Sequence, residues 1–250
     1  MNLQPSILKF DPYLNYNSTF LSPLQHGEVF VTKDGEEGDL DLGHYERFLG
    51  IKLDSNSCIT TGKVFHTLLK KEREGAFGGE TVQVIPHLVD EIIEKVTYFE
   101  RHKKEILLIE LGGTVSDLEQ RPFLEAAIQL KKKKMEKMIF IHVAPILSLS
   151  YSGERKTKPT QSSLSFLKTM GIIPDILILR SEKEVDYKIK EKVRLNFPSL
   201  NQENILSVPY RRNIFEIPLH LYEQEKLGEK LNSLLSLDNF SKQESQELDE

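Results

Sequence analysis

The sequence predicts an α/β fold in which a mainly parallel sheet is flanked by helices. Short apolar runs typical of buried strands occur at residues 28–32, 106–111, 138–143, 176–179 and 205–208. Apolar residues at helical spacing separate several of these runs, at residues 88–99, 123–135 and 164–170. Strands and helices that alternate along a chain are typical of parallel sheets in α/β domains.

The strand and helix assignments follow from the type of repeat in each segment. The runs at 106–111, 138–143 and 176–179 are continuously apolar rather than alternating, which predicts strands covered on both faces. The segment 164–170 places Leu164, Leu167 and Met170 on one helical face, and Gly171 then suits a helix end.

Length and composition predict one domain with a short tail. The chain has 250 residues, 39% of them hydrophobic, and a formal charge of −5. We expect a single domain over 1–240, while the polar segment 241–250 has the composition of a disordered tail. The mixed, mildly acidic charge argues against nucleic acid as a partner, and no apolar stretch reaches the roughly 20 residues of a membrane span.

A single cysteine limits the chemistry that the chain can carry. Cys58 excludes an intramolecular disulfide framework, and its apolar character predicts a small core residue. With no signal peptide at the N-terminus, this cysteine usage favours the cytoplasm. The spacings of a phosphate loop, a G-x-G-x-x-G turn and an H-E-x-x-H zinc site are all absent.

Acidic residues follow two of the predicted strands. In parallel sheets, ligands bind beyond the carboxyl ends of the strands, and Glu110 ends the run at 106–111. Two more acids, Asp117 and Glu119, follow on a glycine-containing loop. A metal or ligand site and a plain loop, with Asp117 capping a helix, remain equally open on this evidence.

Asp39 and Asp41 lie two residues apart after the predicted strand at 28–32. Carboxylates in this position suit magnesium, which takes one or two of them and completes its shell with substrate phosphates. The commoner use of such an acid is to cap a helix, and Asp41 suits a helix that begins near Leu42.

Three cations, Arg155, Lys156 and Lys158, cluster directly before a predicted helix, where Pro159 suits the first helical position. A helix N-terminus with lysines is a good site for an anion such as phosphate. The alternative is an exposed loop.

Longer motifs then point to a family. They are DPY at 11–13, SPLQHGEVFV at 22–31, DLDLGHYERF at 39–48, TTGK at 60–63, TVQVIPH at 81–87, ELGGTV at 110–115, PFLEA at 122–126 and GERKTKPTQ at 153–161. Together they resemble the synthetase domain of the CTP synthase family over about residues 7–181. The resemblance implies a Rossmann-like amidoligase domain that uses ATP and Mg²⁺. In this family, UTP is phosphorylated at its C4 oxygen, and ammonia then displaces the phosphate to give CTP.

The resemblance also implies roles for individual residues. Asp41 and Glu110 match the magnesium ligands, and Lys9 matches a catalytic lysine near the ATP phosphates, where Asp41 also contacts ATP. The positions that match the site for UTP, and for CTP as feedback inhibitor, are Asp117, Leu118, Glu119, Lys156, Thr157, Lys158, Pro159, Thr160, Gln161 and Lys192. For the last of these, unbroken spacing favours Lys192, with Lys190 as the alternative.

The sequence also departs from the family pattern. It starts after the family's first strand, helix and glycine-rich phosphate loop, which affects ATP binding more than UTP binding. It also ends before a glutaminase domain, so we expect ammonia rather than glutamine as the nitrogen source. The alternative is a catalytically impaired module for nucleotide binding or assembly that partners a full-length CTP synthase. A homo-oligomer, like the family's tetramer, is the other assembly that the resemblance implies.

Overall fold

A computed structural model describes residues 5–102, 106–133, 138–148 and 154–237 of the chain. The chain forms two compact parts, Met1–Leu130 and Lys131–Glu250. The predicted tail 241–250, the predicted domain end at residue 240 and the last two residues of the helix expected at 123–135 lie outside the described residues.

The first part alternates strands with helices. In chain order, its elements are β1 (Pro5–Asp11), α1 (Pro23–His26), β2 (Phe30–Val31), β3 (Glu37–Gly38), α2 (Asp41–Leu49), β4 (Cys58–Thr60), α3 (Thr61–Arg73), α4 (Val89–Arg101), β5 (Ile106–Leu111) and α5 (Arg121–Lys133).

The sheet of the first part is parallel, with the strand order β4-β1-β5. Its central strand β1 carries the buried side chains of Leu8 and Phe10, and the Phe10 ring lies 5.0 Å from that of Phe123 on α5. The register places Lys9 of β1 opposite Glu110 of β5. Because paired residues on neighbouring strands point to the same face, this register brings an ammonium and a carboxylate together.

The second part repeats the pattern with a separate sheet. In chain order, its elements are β6 (Ile141–Pro145), β7 (Leu147–Ser148), β8 (Arg155–Lys156), α6 (Lys158–Thr169), β9 (Ile176–Ser181), α7 (Tyr187–Asn196), β10 (Ile205–Pro209), α8 (Glu216–Glu223) and α9 (Leu227–Leu235). The strands β10-β9-β6 pair in parallel, and Leu177 and Leu179 of the central strand belong to one buried core with Leu164 of α6 and Val193 of α7.

The prediction of an α/β fold with parallel strands and flanking helices is confirmed. The strands at 106–111, 176–181 and 205–209 and the helices α4, α5 and α6 lie where the sequence placed them. The helix α6 is followed by Gly171 in the left-handed conformation, at φ +83°, as expected.

Two strand predictions need correction. Of residues 28–32 only Phe30–Val31 forms a strand, and it pairs antiparallel with Glu37–Gly38 instead of joining a parallel sheet. The strand predicted at 138–143 begins only at Ile141 and runs to Pro145. The sequence reading also missed β1, whose polar residues interrupt its apolar run, and the three-residue strand β4.

The expected burial of two strands is also wrong. In β5 no side chain is fully buried and Leu108 is 46% exposed, while in β6 Val143 is 56% exposed. Both strands lie at the outer position of their sheets, so each pairs on one edge only among the described residues. These strands therefore carry more apolar side chains than the packing within each part buries.

The sequence also made predictions about Cys58 and about membrane-spanning segments. Cys58 is buried, as predicted, and burial raises the pKa of its thiol to about 12. Within the described ranges, the helices are too short or too polar to cross a membrane.

Candidate functional site

The centre of the candidate site is Lys9, a buried lysine on the central strand of the first sheet. Its ammonium nitrogen Nζ lies 3.6 Å from Asp11, 3.3 Å from Asp39 and 3.9 Å from Glu110, and it donates a hydrogen bond to Asp41. One ammonium therefore faces four carboxylates, an excess of three negative charges. We call these five residues the acidic cluster.

The acidic cluster is assembled from three local features: β1, β5 and the start of α2. Asp11 follows Lys9 by two residues on β1, so both side chains share a face of the strand. Glu110 is the register partner of Lys9 on β5. Asp39 and Asp41 lie at the start of α2, directly after the β2–β3 hairpin.

The two aspartates at the start of α2 have separate roles. The carboxylate of Asp39 accepts the backbone N–H of Asp41 at 2.8 Å, which satisfies one free donor at the helix N-terminus. Asp41 is itself the first residue of the helix and turns its carboxylate to Lys9. The capping role that the sequence offered to Asp41 therefore belongs to Asp39.

Electrostatics keeps Lys9 charged despite its burial. Burial alone would lower the pKa of Lys9, but Asp11, Asp41 and the other carboxylates raise it above its ordinary value of 10.5. Burial likewise raises the pKa of Asp11. Burial alone would also raise the pKa of Asp41, but the hydrogen bond and the charge of Lys9, with smaller contributions from Asp39 and His44, together hold it below its ordinary value. An ammonium that stays protonated acts as a fixed positive charge and not as a base.

Two carboxylates of the cluster remain accessible from solvent. The side chains of Asp41 and Glu110 are 45% and 44% exposed, whereas that of Asp11 is 6% exposed. Among the described residues no group of three or more carboxylates, histidines or cysteines is arranged to hold a metal ion alone. The cluster thus suits a cation that takes one or two carboxylates and fills its other positions from phosphates and water, as Mg²⁺ does.

The loop after β5 leaves its acids at the surface. Gly113 has φ +79°, and a Cβ there would come within 3.0 Å of the Pro12 ring, so this turn favours glycine. Asp117 and Glu119 are exposed, Leu118 is 71% exposed, and Asp117 accepts the backbone N–H of Thr114 at 3.2 Å.

The second part carries a basic segment around the start of α6. The helix begins at Lys158, with Pro159 next, one residue earlier than predicted. Thr160 is fully buried and its hydroxyl donates to the carbonyl of Pro145 at 2.7 Å, which ties the helix to the end of β6. Thr157 is buried and Gln161 half-buried, whereas Lys158 is exposed.

Glu154 is the carboxylate beside Lys156 of this basic segment. Lys156 contacts Glu154 at 2.7 Å, and this hydrogen bond, with a contribution from the charge of Lys192, lowers the pKa of Glu154. Lys190 pairs with Glu225 at 3.5 Å. The two alternatives left by the sequence, Lys192 and Lys190, therefore have different carboxylate neighbours.

The sequence reading missed two residues of the first site. Asp11 contacts Lys9, and the Tyr45 hydroxyl donates a hydrogen bond to Glu110. Asp39, which the sequence offered together with Asp41, also contacts Lys9. Tyr45 follows Asp41 by four residues, a spacing that places both on one helix face and that could have indicated it.

The comparisons with known proteins decide the family. The family described as CTP synthase N-terminus matches residues 1–237. The chain belongs to the CTP synthase N-terminus family. It is 45% identical to the CTP synthase of Bdellovibrio bacteriovorus over 93% of this chain and 43% of the relative. It is 46% identical to that of Methanococcus maripaludis, over 94% of this chain and 44% of the relative, and 47% identical to that of Clostridium kluyveri, over 89% and 42%.

Membership confirms the resemblance seen in the sequence and extends it to residue 237. The chain spans less than half the length of these CTP synthases. In this member of the CTP synthase N-terminus family, the positions that resemble the family's metal and ATP site, Lys9, Asp41 and Glu110, come together in the first part. The positions that resemble its UTP site fall in both parts, Asp117–Glu119 in the first and Lys156–Gln161 with Lys192 in the second.

Proposed function

We propose that this chain carries out the ATP-dependent amination of UTP to CTP, with ammonia as nitrogen source. The observation that carries this proposal is the acidic cluster, in which Asp41 and Glu110 both lie beside the Lys9 ammonium. In the proposed reaction, the C4 oxygen of UTP attacks the γ-phosphorus of ATP and ADP leaves. Ammonia then attacks C4, and inorganic phosphate leaves with the oxygen.

The roles of the first part follow from charge and accessibility. Asp41 and Glu110 would hold Mg²⁺, which neutralises charge on the phosphates of ATP when it is bound. Lys9 stays protonated in the cluster and so would serve as a positive charge beside the phosphates. Asp11 and Asp39, the less exposed carboxylates, keep the lysine in place.

The roles of the second part follow from its basic segment. Lys156, Lys158 and Lys192 would bind the phosphates of UTP, or of CTP as an inhibitor, since lysines at a helix start favour such anions. Thr157, Pro159, Thr160 and Gln161 form the first turn of α6 and orient it. Asp117, Leu118 and Glu119, in the first part, are the other positions that resemble the family's pyrimidine site.

A second candidate function is a nucleotide-binding or assembly module that partners a full-length CTP synthase, or further copies of this chain. The half-exposed apolar strands β5 and β6 favour it, because an open strand edge with apolar side chains is a ready pairing surface. Sedimentation of the chain alone, and mixed with a full-length CTP synthase, measures this assembly directly.

The deciding experiment is CTP formation by the purified chain with UTP, ATP, Mg²⁺ and ammonium, followed by chromatography. We expect product, and we expect Glu110→Ala to lower the rate on the order of 10²-fold or more because it removes a proposed metal ligand. Glu72→Ala, at an exposed acid on α3, is the matched control and should keep the rate. A folded wild-type chain that forms no CTP would reject the enzyme and favour the second candidate.

A further inference from the structure

The orientation of Glu110 requires an explanation, because its side chain is 44% exposed at the end of β5. An exposed glutamate has several rotatable bonds and many accessible rotamers, so an isolated one presents its carboxylate poorly to a ligand. Here each carboxylate oxygen has a partner. Oε2 accepts the Tyr45 hydroxyl, and Oε1 lies 3.9 Å from the Lys9 ammonium.

Tyr45 is well suited to fix that orientation. Its ring packs against the buried core cluster that contains Ile7, Leu42 and Leu53, so the hydroxyl is presented from a rigid base. The phenol hydroxyl is a hydrogen-bond donor, so it suits the carboxylate oxygen that it contacts.

One face of α2 thus serves two proposed metal ligands. Asp41 in its first turn contacts Lys9, and Tyr45 one turn later contacts Glu110. Because Asp41 and Glu110 both contact the Lys9 ammonium, their oxygens converge on one place. Tyr45 occupies Oε2 of Glu110 and leaves Oε1 on the side of that convergence.

We propose that Tyr45 is a positioning residue for the metal site: its hydroxyl holds Oε2 of the Glu110 carboxylate so that Oε1 and Asp41 face the same cation. The inference rests on the proposed function, since it needs Asp41 and Glu110 to bind a divalent cation. Hydrogen-bond partners of ligating carboxylates typically contribute 10- to 100-fold to metal affinity.

The test measures Mn²⁺ binding by electron paramagnetic resonance, with Mn²⁺ as the probe for the magnesium site. Tyr45→Phe keeps the ring and removes the hydroxyl, so we expect about tenfold weaker binding with the thermal midpoint nearly kept. Tyr222→Phe, at a 70% exposed tyrosine of the second part, is the matched control and should bind as wild type does.

A double-mutant cycle separates positioning from a merely structural effect. In a Glu110→Gln background, adding Tyr45→Phe should change Mn²⁺ affinity by less than about twofold, because the carboxylate that Tyr45 positions is gone. Glu110→Asp retains the charge but shortens the reach to the hydroxyl as well as to the cation. In this background too, adding Tyr45→Phe should change Mn²⁺ affinity by less than about twofold, because the contact is already lost.

The possible results differ in what they reject. Wild-type affinity in Tyr45→Phe, or an equal loss from Tyr45→Phe in both backgrounds, would overturn the role of Tyr45 and leave the metal site standing. A wild-type chain that binds no Mn²⁺, or binds it as well after Glu110→Gln, would reject the metal site itself and with it this part of the proposed function.

Discussion

Lys9 lies on a strand of the first parallel sheet, and His142 lies on a strand of the second. Their surroundings shift the pKa values of these two bases in opposite directions. Lys9 faces four carboxylates, which raise its pKa although burial opposes them. Burial lowers the pKa of His142 to about 4, and its Nε2 atom has the hydroxyl of Ser163 as partner at 2.8 Å. A buried base stays charged or becomes neutral according to whether carboxylates surround it.

The comparison extends to the two charged surfaces. In the first part, a cation lies inside and the two most accessible charged groups around it, Asp41 and Glu110, are negative. In the second part, the exposed start of α6 is basic, and Lys156 contacts the exposed Glu154. The same three-stranded parallel plan therefore presents exposed acidic groups in one part and exposed basic groups in the other.

Removing the positive charge from the acidic cluster should have the largest effect. Lys9→Met keeps most of the side-chain volume but leaves four carboxylates together, of which Asp11 is buried. Breaking a buried ion pair from one side typically costs about 3–5 kcal/mol, so we expect a loss of that size in the free energy of unfolding in urea.

Two further variants test the cause of that loss. Lys52→Met, at a lysine whose side chain is 78% exposed, should change the stability by less than about 1 kcal/mol. Adding Asp11→Asn to Lys9→Met should restore part of the stability, because it removes the buried charge left unpaired. Equal stability of Lys9→Met and wild type would show that the cluster does not depend on its lysine.

Lowering the pH should show the effect of the lowered pKa of His142 on stability. Its folded-state pKa of about 4 lies below its unfolded value of 6.5, so the unfolded chain binds more protons between these values. The stability contributed by the neutral ring is thus complete above pH 6.5 and falls as the pH drops towards 4. Between pH 6.5 and 5 we expect a loss of about 1–2 kcal/mol from this residue.

The variant His142→Gln isolates this contribution. Glutamine does not titrate, so the unfolding free energy of the variant should fall less steeply than that of wild type between pH 6.5 and 5. Urea unfolding at several pH values measures both slopes. Parallel curves for the two proteins would mean that His142 titrates normally in the folded chain.

The fold was largely readable from the sequence where polar residues do not interrupt a strand. Strands such as 176–181 stand out because their residues are apolar, and helices such as α4 because their apolar residues recur at helical spacing. The strand β1 did not stand out, because Ser6, Lys9 and Asp11 break its apolar run. These polar residues are tolerated in a central strand through partners distant in sequence, which local patterns do not contain.

The same limit applies to the site. Local chemistry pointed to Glu110 and Asp41, and the family resemblance supplied Lys9, but neither predicted that the lysine contacts four carboxylates. Asp39 and Asp41 do not follow a parallel strand at 28–32 as expected. They follow the short β2–β3 hairpin, and the start of α2 brings them to the cluster. Whether Lys156–Gln161 and Lys192 bind UTP stays a prediction.

The smallest expected effects concern the basic segment, and they have opposite signs. Lys156→Ala removes one charge-assisted contact to a phosphate, so we expect about tenfold weaker UTP binding in calorimetry, with little change in stability. Glu154→Gln removes the carboxylate that contacts Lys156, and with it an internal competitor for the phosphate. Because this pair is exposed, we expect only about twofold tighter binding.

The proposed difference between the two parts would be wrong if Lys156→Ala bound UTP as wild type does, since a site that binds an anion must lose affinity when its cation is removed.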